Sequence, residues 1–142
     1  MTDNRKAMCN KPFFRIYLRT SQNNGSMSPH FHFYHQILLI TEGMAKFYIG
    51  DKQYIAQAGS FLIISAFKRH SFEVLTYPYN YNGYVLAINN EFASAFLHHP
   101  LAFSVFLQHP NNFCHIANLD CSIMLKAQNI CIEMEKELIK KR

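Results

Sequence analysis

The sequence contains no apolar run long enough to span a membrane, and its first six residues are polar and lack the apolar core of a signal peptide. Its four cysteines show no Cys-x-x-Cys spacing, which argues against a zinc ribbon and against a disulfide scaffold. It contains no internal repeat and no low-complexity segment. Together these absences predict a reduced, cytoplasmic protein.

The chain also lacks a basic stripe of the kind that marks a nucleic-acid surface. Its formal net charge is +5, but much of the excess lies at the two ends, in Arg5-Lys6 and in Lys136, Lys140, Lys141 and Arg142. A DNA-binding domain usually concentrates its basic residues along one element. We therefore expect solvated termini rather than a DNA contact surface in this chain.

Apolar residues make up 49% of the 142 positions and aromatic residues 15%, which predicts one folded domain with a substantial core. Gly50-Asp51 separates two alternating runs and predicts a hairpin in which Phe47 faces Tyr54 and Ala45 faces Ala56. Closely spaced short strands predict a mainly β fold, a β-barrel or double-sheet jelly roll. The predicted strands are 13–18, 30–41, 45–49, 52–56, 61–64 (buried on both faces), 71–75 and 84–88.

After Asn89 the sequence pattern changes from one that predicts strands to one that predicts helices. Glu91 to Leu97 has helical composition, and Asp120 is a suitable N-cap for a long helix that runs to about Lys140. Apolar residues at spacings of three and four form one stripe on this helix. The residues of the stripe are Ile123, Ala127, Ile130, Met134 and Leu138.

The candidate functional residues lie in the predicted strand 30–41. Side chains alternate along a strand, so His30, His32, Tyr34 and Gln36 should share a face, with His35 directed outward. A later strand would add His70 to this group. Buried imidazoles and a carboxamide need partners, which are a metal, a small ligand or one another.

These residues resemble two cupin motifs. His30-x-His32 followed by Gln36 and Gly43 is similar to the first motif, with Gln36 where a glutamate normally stands. Gly59 through His70 is similar to the second, although the usual Pro-x-Gly before the last histidine is absent and Val74 replaces a final asparagine. Residues 29–97 more specifically resemble the N-terminal domain of AraC-family transcription regulators. The matching segments, in order, are His-x-His leading into Gln-Ile-Leu, Glu-Gly-Met, Ile-Gly-Asp-Lys, Gly-Ser-Phe-Leu-Ile-Ile, His-Ser-Phe, and the strand 84–88 with Glu91-Phe92.

The resemblance implies a ligand-sensing and dimerisation domain rather than an enzyme. Its organisation would be a flexible leader (1–11), a cupin-like barrel (12–89) and a helical segment (90–142) whose helix 120–140 dimerises through the stripe. A small effector, a sugar or another polar metabolite, would contact His30, His32, Tyr34, Gln36 and His70. The DNA-binding helix-turn-helix domain of the family would not be part of this chain, so DNA would be a partner only through that domain.

Three alternatives remain open from the sequence. A metal ion bound by His30, His32, Gln36 and His70 is disfavoured because Gln36 is neutral where metal-dependent cupins carry a carboxylate, and we expect no cofactor. A stand-alone metal-dependent cupin enzyme, of oxygenase or isomerase type, depends on that metal. A free-standing binding protein with neither metal nor DNA role is the third. The stripe could also pack on its own barrel instead of on a second subunit.

Overall fold

The computed structural model describes residues 11–20, 27–76, 80–96 and 113–140. Within these residues eight short strands precede the first helix, as the sequence predicts, and a ninth strand lies between the two helices. The strands are β1 (Phe14–Thr20), β2 (Met27–His30), β3 (His35–Glu42), β4 (Met44–Ile49), β5 (Lys52–Gln57), β6 (Ser60–Ile64), β7 (His70–Val74), β8 (Asn82–Ile88) and β9 (Ile116–Asn118); the helices are α1 (Asn90–Phe96) and α2 (Cys121–Lys140).

The strands form two antiparallel sheets with a core between them. The larger sheet has the order β1-β8-β3-β6-β9 and the smaller one β2-β7-β4-β5. Both sheets contribute to the main apolar cluster, with Ile40 and Leu62 from the larger and Phe47 and Ile49 from the smaller. The predicted hairpin is confirmed, because Phe47 pairs with Tyr54 and Ala45 with Ala56. Gly50 in its turn adopts φ +61°, a conformation that favours glycine.

The larger sheet is covered by helices on its outer face. Helix α2 packs against β1 and β3, where Cys131 lies in a cluster with Ile16, Leu39 and Tyr84. Helix α1 places Ala93 in a second cluster with Ile88. Because β3 is covered on both sides, its central residues Ile37 to Ile40 are continuously apolar instead of alternating. No helix in the described residues is both long and apolar enough to cross a membrane.

The predicted single strand 30–41 is wrong. His30 ends β2 in the smaller sheet, and β3 begins only at His35 in the larger sheet. Residues 31–34 cross between the two sheets, so the alternation of side chains along one strand does not apply to them. His35 lies on the opposite face of β3 from Gln36, as predicted, but it is not open to solvent: it is 2% exposed and contacts Asn90 at the start of α1.

Other differences concern the boundaries of elements. Strand β6 alternates buried and half-buried residues, and its half-buried Phe61 and Ile63 pack in the helix-side clusters. Strand β9 is not predicted, and it brings residues from within the segment 90–142 into the larger sheet beside β6. The proposed leader lies outside the described residues except for Lys11, as do residue Leu97 and the segment 98–112.

The apolar stripe of α2 divides between two environments. Ala127, Met134 and Leu138 pack against the chain's own larger sheet in the cluster around Cys131. Ile123 and Ile130 are 50% and 58% exposed at the edge of that face. Much of the stripe thus serves the packing of its own domain, the alternative that the sequence left open.

Candidate functional site

Three histidines gather at one end of the space between the sheets. His30, His32 and His70 each place one imidazole nitrogen within 4.8 Å of a nitrogen of the other two. The ring of His30 is 4.7 Å from that of His32 and 4.3 Å from that of His70, centroid to centroid. The convergence predicted from the sequence therefore occurs, although the chain achieves it by a different route.

Strand pairing and one unusual turn bring the three rings together. His30 of β2 is the direct antiparallel partner of His70 of β7. The backbone N–H of Phe67 donates to the carbonyl of His32 at 2.8 Å, which ties the crossing segment to the loop before β7. Phe67 adopts φ 64°, a left-handed conformation that is uncommon for a non-glycine residue. Strain of this kind persists only where surrounding contacts enforce it, as the link to His32 does here.

Backbone carbonyls fix the tautomers of two of the histidines. The Nδ1 of His30 lies 2.7 Å from the carbonyl oxygen of Ser28, and the Nδ1 of His70 lies 2.8 Å from that of Lys68. A carbonyl only accepts, so each Nδ1 carries a proton, and Nε2 is the nitrogen that keeps a lone pair in the neutral form of the ring. The Nε2 of His30 is buried and has no hydrogen-bond partner. This atom is left ready to accept from a ligand or to bind a cation.

The surroundings disfavour protonation of two of the three histidines, His32 and His70. Burial, followed by the neighbouring His30 and His70 and by Arg19, lowers the pKa of His32 to about 4. Burial also lowers the pKa of His70, against the opposing effect of its hydrogen bond to Lys68. At neutral pH these imidazoles are therefore present as lone-pair donors.

The cavity beside the cluster is very small, with a volume of about 20 Å³. Its polar wall consists of the three histidines, Gln36 and Arg19. The guanidinium of Arg19 lies 4.6 Å from the ring centroid of Phe72. The apolar wall comes from both sheets and contains Met27, Leu38, Phe47, Ile64, Phe72 and Val85.

Four of the five predicted effector-binding residues line this cavity: His30, His32, Gln36 and His70. Tyr34 instead stacks on the outer side of the cluster, with its ring 4.7 Å from that of His32 at an interplanar angle of 11°. The sequence prediction missed Arg19, although the alternation of β1 places Arg15, Tyr17 and Arg19 on one face of that strand.

His35 is a structural residue. Its Nδ1 accepts from the backbone N–H of Ala66 at 2.9 Å, and its Nε2 donates to Oδ1 of Asn90 at 2.6 Å. These bonds join β3 to the loop after β6 and to the start of α1. Burial lowers the pKa of His35, so a neutral ring suits both bonds.

A separate apolar groove of about 550 Å³ lies between α2 and the stacked rings of Phe14 and Phe92. Its helix side is formed by Ile130, Met134 and Leu138, with Asn129, Glu133 and Glu137. Three of the five predicted dimerisation residues therefore border one groove. The remaining two, Ile123 and Ala127, are not among the described residues that line it.

Two antiparallel sheets that enclose a polar cluster, with helices on the outside of one sheet, define a binding domain of the cupin-like jelly-roll class. The model of the AraC-like ligand-binding domain matches residues 14–140. The chain belongs to this family, as the motifs predicted, and it is a ligand-binding domain of the regulatory type.

Two solved structures of ToxT agree with this chain at the level of the fold. ToxT from Vibrio cholerae matches with a TM-score of 0.58 and 15% identity over 83% of this chain and 47% of the ToxT chain. ToxT of Vibrio cholerae strain SCE256 with a bound unsaturated fatty acid has a TM-score of 0.56 and 19% identity. The match covers 83% of this chain and 45% of that chain. A cupin superfamily protein from Desulfitobacterium hafniense has a TM-score of 0.46 and 17% identity. The match covers 56% of this chain and 79% of that chain. This chain thus spans about half of ToxT. A comparison with curated protein sequences found no match.

Proposed function

We propose that this chain is the effector-sensing domain of an AraC-type transcription regulator and that the effector binds at His30, His32, Gln36 and His70. The observation that carries the proposal is the buried, unpartnered Nε2 of His30, which faces a small cavity inside a domain of this family. A buried polar atom without a partner costs free energy, so a ligand that satisfies it gains affinity there. ToxT with its fatty acid is a neighbour in fold that also carries a small ligand.

Regulation rather than catalysis fits the chemistry of the cavity wall. The described residues that line it include no carboxylate, thiol or hydroxyl side chain. General acid–base or nucleophilic catalysis there would depend on the imidazoles alone. A stand-alone enzyme would require turnover at this site, and an assay of the chain that found turnover abolished by His32→Phe would replace the sensor proposal.

Dimerisation is the second part of the proposal. The groove beside Ile130 is apolar, and Ile123 and Ile130 expose about half of their surface on the same edge of α2. We assign this edge to contact with a second copy of the chain. Effector binding would shift the dimer between two arrangements and so reposition DNA-binding domains outside this chain. The regulator would act in the cytoplasm.

A reporter experiment tests the proposed function. The chain is fused at its C-terminus to a DNA-binding domain that represses a promoter only as a dimer. We expect the fusion to repress, and repression to change when cells are grown on different nutrient and metal supplements. A fusion that is abundant and folded but never represses would contradict dimerisation, and constant repression under every supplement would contradict sensing.

A further inference from the structure

The size of the cavity restricts the effector. Small-molecule sites usually enclose about 300–1,000 Å³, whereas the cavity at the histidines measures about 20 Å³. A sugar ring does not fit without displacement of core residues such as Phe47 or Phe72. The space is sufficient for one water molecule or one metal ion.

The donor set distinguishes between these two occupants. Two imidazoles have their Nδ1 protons fixed on the carbonyls of Ser28 and Lys68, which leaves their Nε2 lone pairs free. A hydrogen bond from the second ring nitrogen to a backbone carbonyl is the usual support of a metal-binding histidine. Three neutral imidazoles suit first-row transition metals, whereas Mg²⁺ and Ca²⁺ prefer oxygen ligands.

We propose that His30, His32 and His70 bind a divalent first-row transition-metal ion such as Zn²⁺ and that this ion is the effector of the domain. The inference rests on the proposed function, because it names the chemical class of the ligand that the sensor takes. It replaces the polar metabolite expected from the sequence.

Two features of the site set its affinity. A tetrahedral zinc ion with bonds of 2.0–2.1 Å holds its ligand nitrogens about 3.3 Å apart, so nitrogens spread over as much as 4.8 Å must draw together on binding. His30 and His32 are only half buried, which allows their rings to rotate. Gln36 supplies no negative charge, and the nearby Arg19 opposes a cation. Binding should therefore be reversible rather than structural, as a sensor requires.

The test is isothermal titration of the purified chain with ZnCl₂. The exposed thiols of Cys114 and Cys121 would bind zinc independently, so these two cysteines, together with Cys9, are first replaced by serine. We expect one ion per chain. His32→Phe, which keeps the ring that stacks on Tyr34 but removes its nitrogens, should weaken binding by about 100-fold, comparable with the larger losses seen on disturbing metal-ligand shells.

A gain-of-affinity variant keeps the test informative if a histidine variant misfolds. Gln36→Glu adds a carboxylate to the cavity wall, and we expect zinc to bind at least about tenfold more tightly. The matched control is Gln53→Glu, which makes the same charge change at an exposed position of β5 and should leave the affinity unchanged.

The outcomes separate this inference from the proposed function. Stoichiometric binding that His32→Phe weakens and Gln36→Glu strengthens supports the metal effector. Absence of binding, or binding that neither variant alters, overturns it and assigns the cavity to an ordered water. In that case an organic effector that raises the melting temperature of the chain would still support the sensor. If neither zinc nor organic compounds bind, both proposals fail.

Discussion

At the scale of single residues, hydrogen bonds to backbone determine what each histidine can do. The Nδ1 of His30 and the Nδ1 of His70 each donate to the backbone carbonyl two positions earlier in the chain. The Nε2 of each ring is therefore left to contact a ligand. His35 has both nitrogens engaged and holds elements together. The spacing in the sequence singled out His30, His32 and His70 as candidates and set His35 apart by its parity. It could not predict these hydrogen-bond partners, because the crossing of the chain between the sheets sets them.

Replacing His35 should destabilise the fold. His35→Phe leaves the N–H of Ala66 without its acceptor and removes the bond to Asn90. We expect a loss of about 2–3 kcal/mol in the free energy of unfolding, since an orphaned buried donor costs about 1–3 kcal/mol. Urea denaturation provides the measurement. Asn90→Ala breaks only one of these bonds, at an exposed position, and should lower the free energy of unfolding by less. Equal losses in the two variants would contradict the role assigned to the bond between His35 and Ala66.

At the scale of elements, composition predicted α1 and α2 correctly but not how they are fixed. Asn89 is 3% exposed, and its Oδ1 accepts from the N–H groups of Phe92 and Phe13 at 2.8 and 2.9 Å. Its Nδ2 donates to the carbonyl of Lys11 at 2.6 Å. One side chain therefore caps α1 and anchors the start of β1. Such a contact over more than 70 positions has no local sequence signal.

Mutation can separate the roles of the Asn89 side-chain oxygen and nitrogen. Asn89→Ala should lower the free energy of unfolding by about 2–3 kcal/mol, because it removes a cap and leaves buried backbone groups unpaired. Asn89→Asp keeps the accepting oxygen but replaces the donor to Lys11 with a second oxygen, which the carbonyl of Lys11 repels. It should therefore retain part of the stability in thermal or urea unfolding. An alanine variant as stable as the parent would show that the cap contributes nothing.

The N-cap of α2 was predicted from the sequence and is present. Oδ1 of Asp120 accepts from the N–H of Ile123 at 2.9 Å. Asp120→Ala should cost about 1 kcal/mol, whereas Asp120→Ser should cost a few tenths at most, since serine caps equally well. The difference is measurable by urea denaturation, and identical losses would indicate a role for the charge instead of the cap.

Element boundaries were less predictable where the chain changes sheets. The aromatic and branched residues from His30 to Thr41 favour strand throughout, yet residues 31–34 leave the ladder to connect β2 and β3. The three-residue strand β9 exists through its pairing with β6 and has little pattern of its own. Local propensity therefore predicted most strands, while tertiary pairing decided where they begin and end.

At the scale of the whole molecule, the domain uses its larger sheet in two ways. The inner face contributes to the histidine cavity through Arg19 and Gln36, and the outer face receives α2. A ligand that contacts Arg19 of β1 or Gln36 of β3 therefore acts on the sheet that also supports the proposed dimer edge. The larger sheet thus lies between the proposed ligand site on its inner face and the helix of the proposed dimer edge on its outer face.

A charge on the exposed edge of α2 should dissociate the proposed dimer. Ile130 is 58% exposed and borders the apolar groove, so Ile130→Glu should yield a folded monomer. Ile139 is 63% exposed, and nine positions of about 100° each place it on the opposite side of the helix. Ile139→Glu is therefore the matched control and should remain dimeric. Light scattering with circular dichroism distinguishes these results; a dimeric Ile130→Glu would contradict the interface.

The most direct test of the central claim is a nitrogen-15 NMR measurement of the histidine tautomers at pH 7.5 in the free chain. The account predicts that His30 and His70 carry their protons on Nδ1 and that both Nε2 atoms are unprotonated. Addition of zinc should then shift the Nε2 signals of the cluster while those of His35 stay in place. Protonated Nε2 atoms on His30 and His70 would contradict the account, because the cavity would then face hydrogen-bond donors instead of free lone pairs.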